Sequence, residues 1–515
     1  LTFHLVELLD SVEIDLRILI MNRRNFLLGT GALVAAGSAY AWATNPNDFS
    51  VDMSQRVALK MPPLLDTRES GKLDLTAQEG ETSFFENAAS KTIGFNQNYL
   101  GPTIRMRNGP LSAKVSNQLQ TPVTVHWHGL LVPGEHDGGP HLPIEFGNSW
   151  QPDMQIQQNP ATAFYHTHIH GRTASDVYAG LAGIIHVDDG RDDDRGIPNS
   201  YGVDDLTLLI QDRRFTDSGY LSYDLSMMDA MHGFTADTML VNGQANTRAV
   251  VPKGIVRLRL INGSNARIYT LSADDNRPLH LIATDGGFLQ EPKPIEKLSL
   301  SPGERAELLV DFGNGESMTM LSSGDPNSGP GGMMGRVRGM LDYVIDRSFV
   351  VLPFVVDDRM PAKFNALPDR LNGDEPDLEG EEIVATRQIS LDMNTGPSGM
   401  MGGGMMSNMG INGRSFDMSR MDLSVGLGTV EKWVVSTSML AHPFHVHGVA
   451  FQVLNENSGE PKPENAGWKD TVVVDRVTEL LMKFNMPASR DHPFMYHCHI
   501  LEHEDRGMMG QFTVS

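Results

Sequence analysis

Short apolar runs that alternate with polar positions dominate the chain. Val123-Thr124-Val125 and Ile255-Val256-Arg257-Leu258-Arg259-Leu260 are examples, and Gly, Pro, Asn and Asp interrupt such runs repeatedly. A period of two sorts side chains onto opposite faces of a strand, and turn residues close each run, so the pattern predicts the strands of β-sandwiches. Long helical periodicity is scarce. Two polar stretches read as linkers: 188–194, which is acidic, and 361–382, rich in Pro, Asp and Glu. They divide the chain into sandwiches over 48–189, 198–355 and 380–515. Three domains also follow from roughly 470 residues at roughly 150 per domain. Asn242-Gly243 and Asn412-Gly413 recur in similar contexts before strands, a hint of internal duplication. The expected fold class is all-β.

One apolar run has another meaning. Residues 21–43 open with Met21-Asn22-Arg23-Arg24-Asn25-Phe26-Leu27, continue apolar to Ala36 and end in small residues around Ala39-Tyr40-Ala41. This resembles a bacterial twin-arginine signal, which implies the twin-arginine export machinery as a partner and the periplasm as destination. The run is too short to span a bilayer, so no stable membrane anchor is expected. Residues 1–20 carry acidic groups where a basic leader belongs, and they are read as an extension preceding a start at Met21. The formal charge of −23 argues against nucleic acid and anionic membranes and suits a periplasmic protein that attracts cations. Exported chains often rely on disulfides, but this one has a single cysteine and must rely on burial.

That cysteine stands in His497-Cys498-His499, with His503 and Met508 following. Thiolate, imidazole and a weak axial thioether form the donor set of a blue-copper centre. Along an extended strand His497 and His499 leave on the face opposite Cys498, so they serve a second metal site joined to the first through the backbone. Three further clusters supply that site: His126-Trp127-His128-Gly129, Tyr165-His166-Thr167-His168-Ile169-His170-Gly171 and His442-Pro443-Phe444-His445-Val446-His447-Gly448. Of 18 histidines, 11 fall in these four windows, too many for satisfied core or surface residues.

With these motifs in this order, the chain resembles the multicopper oxidases. The resemblance implies three cupredoxin-like Greek-key sandwiches, with a copper cluster between the first and third, and a structural role for the middle one. It implies four copper ions. Cys498, His442, His503 and Met508 correspond to the type 1 ligands, with Met509 a competitor for the axial place. His126 and His445 correspond to the type 2 pair, and His128, His166, His168, His447, His497 and His499 to the six type 3 ligands. His170 has no assigned role. Electrons accepted singly at the type 1 site would pass through Cys498 to the cluster, where O2 is reduced to water. That reduction consumes protons, and Asp137 and Glu504 match the acidic positions that the family uses to deliver them.

The reductant is the open question. Met393, Met400, Met401, Met405, Met406, Met409, Met418 and Met421 crowd one segment, 393–421, with smaller groups at Met333, Met334 and Met340 and at Met227, Met228, Met231 and His232. Thioethers select Cu(I), and Met-rich insertions mark the copper-efflux oxidases. The expectation is therefore a monomeric cuprous oxidase acting in copper tolerance, with a laccase acting on phenols and aromatic amines as the alternative. A copper buffer is the reading from another class, but such a scaffold would lack several of these ligands.

Overall fold

The computed structural model describes residues 51–323, 348–393 and 409–515. The export-signal segment, the 1–20 extension, the 333–340 methionines and Met400, Met401, Met405 and Met406 lie outside the described residues.

Six sheets pair into three sandwiches. In the first, strands Leu64–Asp66, Thr103–Met106, Ala182–Val187 and Ala161–His166 form one sheet, and Ala88–Phe95, Lys72–Phe85 and Gly109–Asn117 lead the other. Leu73, Ile104, Trp127, Tyr165 and Ile185 fill the space between. Lys72–Phe85 shows why the pattern was readable: its burial alternates residue by residue over the first half of the strand. In the second sandwich, the sheet centred on Asp205–Phe215, Ile255–Asn262 and Arg305–Asp311 closes over Leu208, Leu258, Leu271, Met320 and Leu352. The third packs Trp433 and Leu480 of one sheet against Phe444, Tyr496 and Phe512 of the other.

Two departures from simple alternation matter. Ile255–Asn262 is buried at every position, with Arg257 and Arg259 inside. Their guanidinium groups are satisfied by carboxylates: Arg257 Nη2 lies 2.6 Å from Glu307 Oε2, and Arg259 Nε lies 2.7 Å from Asp205 Oδ1. Thr162 of the first sandwich donates to Glu307 at 2.7 Å, so the polar face of this strand is covered by a neighbouring sandwich rather than by water. Separately, Val57–Ala58 pairs in parallel with Thr247 and Arg248, which places a strand lying just after residue 48 in a sheet of the second sandwich. Among the described residues no helix is long and apolar enough to cross a membrane.

Candidate metal centre

Strand pairing brings the distant motifs together. Phe494–Cys498 lies between Met509–Val514 and His442–Val446, with Phe444 opposite Cys498 and His445 opposite His497. Alternation then sorts the donors. Cys498 turns into the core of the third sandwich with Phe444 and Met508, while His445 and His497 leave on the other face. In the first sandwich His126 and His166 exchange backbone hydrogen bonds at 2.8 and 3.1 Å, aligning the two histidine motifs side by side.

On the core side, His442 Nδ1 lies 3.4 Å and His503 Nδ1 3.8 Å from Cys498 Sγ. The other ring nitrogens are committed: His442 Nε2 donates to the Met439 carbonyl at 3.0 Å and His503 Nε2 to the Met231 carbonyl at 3.1 Å. The hydrogen-bond network therefore assigns lone pairs to both Nδ1 atoms, which face each other 3.3 Å apart. Burial pushes the His442 pKa down to about 4 and the Cys498 thiol up. Two lone pairs and a buried sulfur around one point are a poor arrangement by themselves and a good one around a soft cation, which also displaces the thiol proton. Met508 is fully buried and its carbonyl accepts from the Cys498 N–H at 3.1 Å. Met509 turns to a separate apolar group with Met495 and Phe416.

On the opposite face eight imidazoles converge. His126 stacks on His447 and His128 on His445, each pair with centroids 3.7 Å apart. His497 Nε2 stands 3.3 Å from His168 Nε2 and 3.2 Å from His447 Nε2. His166 and His499 complete the group at 5.4 Å. Burial holds His128, His166, His168, His447, His497 and His499 well below the ordinary histidine pKa, and His445 below it, so these rings are neutral donors. Nε2 of His126, His166 and His445, Nδ1 of His128 and both nitrogens of His499 are buried without a hydrogen-bond partner. Orphaned buried nitrogens are costly, and metal ions between them remove the cost. The residues fit copper at both places. His170 stays at the rim, exposed, against Phe416.

The expected acids flank this group. Asp137 accepts from His447 Nδ1 at 2.7 Å through Oδ2, while its Oδ1 is unpartnered. Glu504 is fully buried, 3.3 Å from His168 Nδ1 and 3.3 Å from His497 Nδ1. Burial raises its pKa well above the carboxylate range, helped by the nearby charges of Asp505 and Glu502. Sequence reading missed Asp470, which accepts from His128 Nε2 at 3.0 Å and is clamped by Arg305. Its only signal was a charged pair, Lys469-Asp470, directly before an apolar strand. A cavity of about 320 Å³ lined by Gly129, Gln158, Gly448, Trp468 and Asp470 opens on that side.

Residues 76–192, 215–334 and 389–515 each match the multicopper oxidase family. The chain belongs to the multicopper oxidase family. Among solved structures it is similar to a bacterial laccase-like multi-copper oxidase, CueO, from Ochrobactrum sp., described with oxidase activity towards lignin model compounds and lignosulfonate. The two are 41% identical with a TM-score of 0.80, over 89% of this chain and 100% of that one. Curated relatives carry a different name. The protein of Rahnella sp. (strain Y9602) is 39% identical over 96% of this chain and 99% of its own length, and that of Escherichia coli (strain K12) is 37% identical over 96% and 99%. Both are named cell division protein FtsP. These whole-length relatives overturn the expected role as a cuprous oxidase in copper tolerance, and the laccase alternative with it. The histidine and cysteine motifs mark the family, whose members carry different names and roles.

Of the methionines invoked for Cu(I), Met409 is buried in the core beside Cys498, Met393 packs against that core, and Met227, Met228 and Met418 are exposed. Neither arrangement restores the corrected role.

Proposed function

We propose that this chain acts in cell division as an exported, copper-holding member of the multicopper oxidase family. The observation that carries the division role is the 37–39% identity to cell division protein FtsP across 96% of this chain and 99% of the relatives. Export rests on the twin-arginine pattern at Arg23 and Arg24, with the periplasm as the working compartment. The test is deletion of the gene in its own host followed by measurement of cell length and septum frequency. Filamentous cells restored by the wild-type gene are the expected result, and unchanged cell length and septum frequency in the deletion strain would overturn the assignment. Complementation with a Cys498→Ser, His442→Ala variant separates the division role from the Cys498 metal site.

A second reading concerns the metal, and the complete, buried donor set favours it. Cys498, His442, His503 and Met508 would hold one copper ion, and His126, His128, His166, His168, His445, His447, His497 and His499 three more. Copper held there would supply one-electron chemistry at the first place and would allow electrons to pass to O2 at the second. Burial excludes water from the rings and disfavours their charged forms, and the Asp137 and Glu504 carboxyls stand beside them. Copper analysis and O2 uptake of the reconstituted protein test it. Four ions per chain and oxygen uptake with a one-electron donor are expected, whereas a chain that takes up no copper overturns it.

A further inference from the structure

The middle sandwich carries none of the histidine motifs, yet one of its turns reaches the cluster at two points. Arg305, fully buried, donates from Nη1 to Asp470 Oδ1 at 2.6 Å and from Nη2 to Asp470 Oδ2 at 2.5 Å. Three further bonds fix the guanidinium: Nη1 to the Gly303 carbonyl at 2.9 Å, Nη2 to the Asp285 carbonyl at 3.2 Å and Nε to the Thr162 carbonyl at 3.2 Å. Asp470 Oδ1 in turn accepts from His128 Nε2 at 3.0 Å and from Thr471 Oγ1 at 2.9 Å. With its Nε2 hydrogen committed there, His128 presents Nδ1, its unpartnered nitrogen, to the cluster. Asp470 lies close enough to His128 and His445 to be considered a metal donor itself, but both its oxygens are occupied by the Arg305 fork.

The same turn meets a second imidazole directly. Gly303 has φ +85°, and a Cβ there would stand 2.9 Å from His499 Cδ2. Only glycine allows both that backbone angle and that approach. The middle sandwich also grips the segment bearing Asp470: Lys469 Nζ lies 3.0 Å from Asp285 Oδ2 and 3.0 Å from Glu304 Oε1.

We propose that the 301–305 turn of the middle sandwich is a positioning element for the histidine cluster, with Arg305 orienting His128 through Asp470 and Gly303 setting the seat of His499. Planar bidentate pairing suits this task because it fixes direction as well as charge, which a lysine cannot do. Partners behind a metal-binding imidazole commonly govern affinity by 10–100-fold. This rests on the copper reading above, and the test keeps the two apart.

Arg305→Lys and Gly303→Ala are compared with wild type in two measurements. Histidine 15N NMR of copper-free protein reads the His128 tautomer, which is expected to be Nε2–H in wild type and mixed in Arg305→Lys. Chelator competition on reconstituted protein reads cluster copper, with the blue thiolate absorption of the Cys498 site as internal reference. Both variants are expected to lose cluster copper about 10–100-fold more readily with the blue absorption unchanged. Cluster copper held as tightly as in wild type overturns the proposal. Equal loss of the blue absorption and of thermal stability also overturns it, because that marks a general prop. If wild type takes up no copper the copper reading falls, and an unchanged tautomer in Arg305→Lys then overturns the orienting role as well.

Discussion

His186 lies outside both metal centres, which makes it a clean probe of what burial does to an imidazole here. It is fully enclosed, with Nε2 3.0 Å from Thr207 Oγ1 and Nδ1 unpartnered. Burial lowers its pKa well below the ordinary value, and Arg259, Arg105 and Arg257 push the same way. The folded protein therefore refuses a proton that the unfolded chain accepts below about pH 6.5. Stability from this residue is present above that pH and is lost as pH falls, by up to about 1.4 kcal/mol per unit. Wild type should lose stability relative to His186→Gln between pH 6.5 and 5, read as a shrinking gap or crossover in guanidinium midpoints of copper-free protein. Parallel pH profiles would mean that the folded protein protonates His186. Histidines spaced two apart were legible because strand alternation turns that spacing into shared direction. Asp470 and Arg305 were not, because the partners are 165 positions apart and neither sits in a motif.

Asp137 depends on an element only one turn long. The Gly134–Asp137 turn ends at Gly138, whose φ of +79° lies in the left-handed region. A Cβ at Gly138 would stand 1.8 Å from the Val125 carbonyl oxygen, in the segment directly before His126. Gly428 has a similar φ of +77° with nothing within 4 Å of its Cβ position. Gly428→Ala should therefore cost about 1–2 kcal/mol for the backbone angle alone. Gly138→Ala should cost more, because Val125 must also move, and it should displace Asp137 from His447. Calorimetry of the two variants checks this, and equal losses would show that the Val125 contact gives way freely. Strand positions were largely readable from alternation, as in Lys72–Phe85. The exception, Ile255–Asn262, looked amphipathic because its arginines mimic a solvated face, and only the packing of one sandwich against another reveals that they are buried.

For the whole molecule, the histidine cluster joins donors on 126–168 to donors on 445–499, so copper bound there would tie the first sandwich to the third. Metal that binds only the folded state stabilises it by about 2.7 kcal/mol when its concentration is 100-fold above Kd. Stripping copper with a chelator should lower the thermal midpoint, and titrating it back should raise the midpoint with concentration. A midpoint indifferent to copper would show that the cage is as stable empty as filled. The biological role was the least legible property of all. Ligand clusters announce a chemistry shared across the family, and members with that chemistry carry different names and roles.

The division of donors between distant stretches also shapes how the molecule is made. A ribosome completes His126, His128, His166 and His168 long before His442 is added, so the growing chain displays half a cage. The other half becomes usable only when Phe494–Cys498 is held between His442–Val446 and Met509–Val514. A product cut short before Met509 lacks one of the two strands that flank Phe494–Cys498. The grip on copper is then a property of the finished chain.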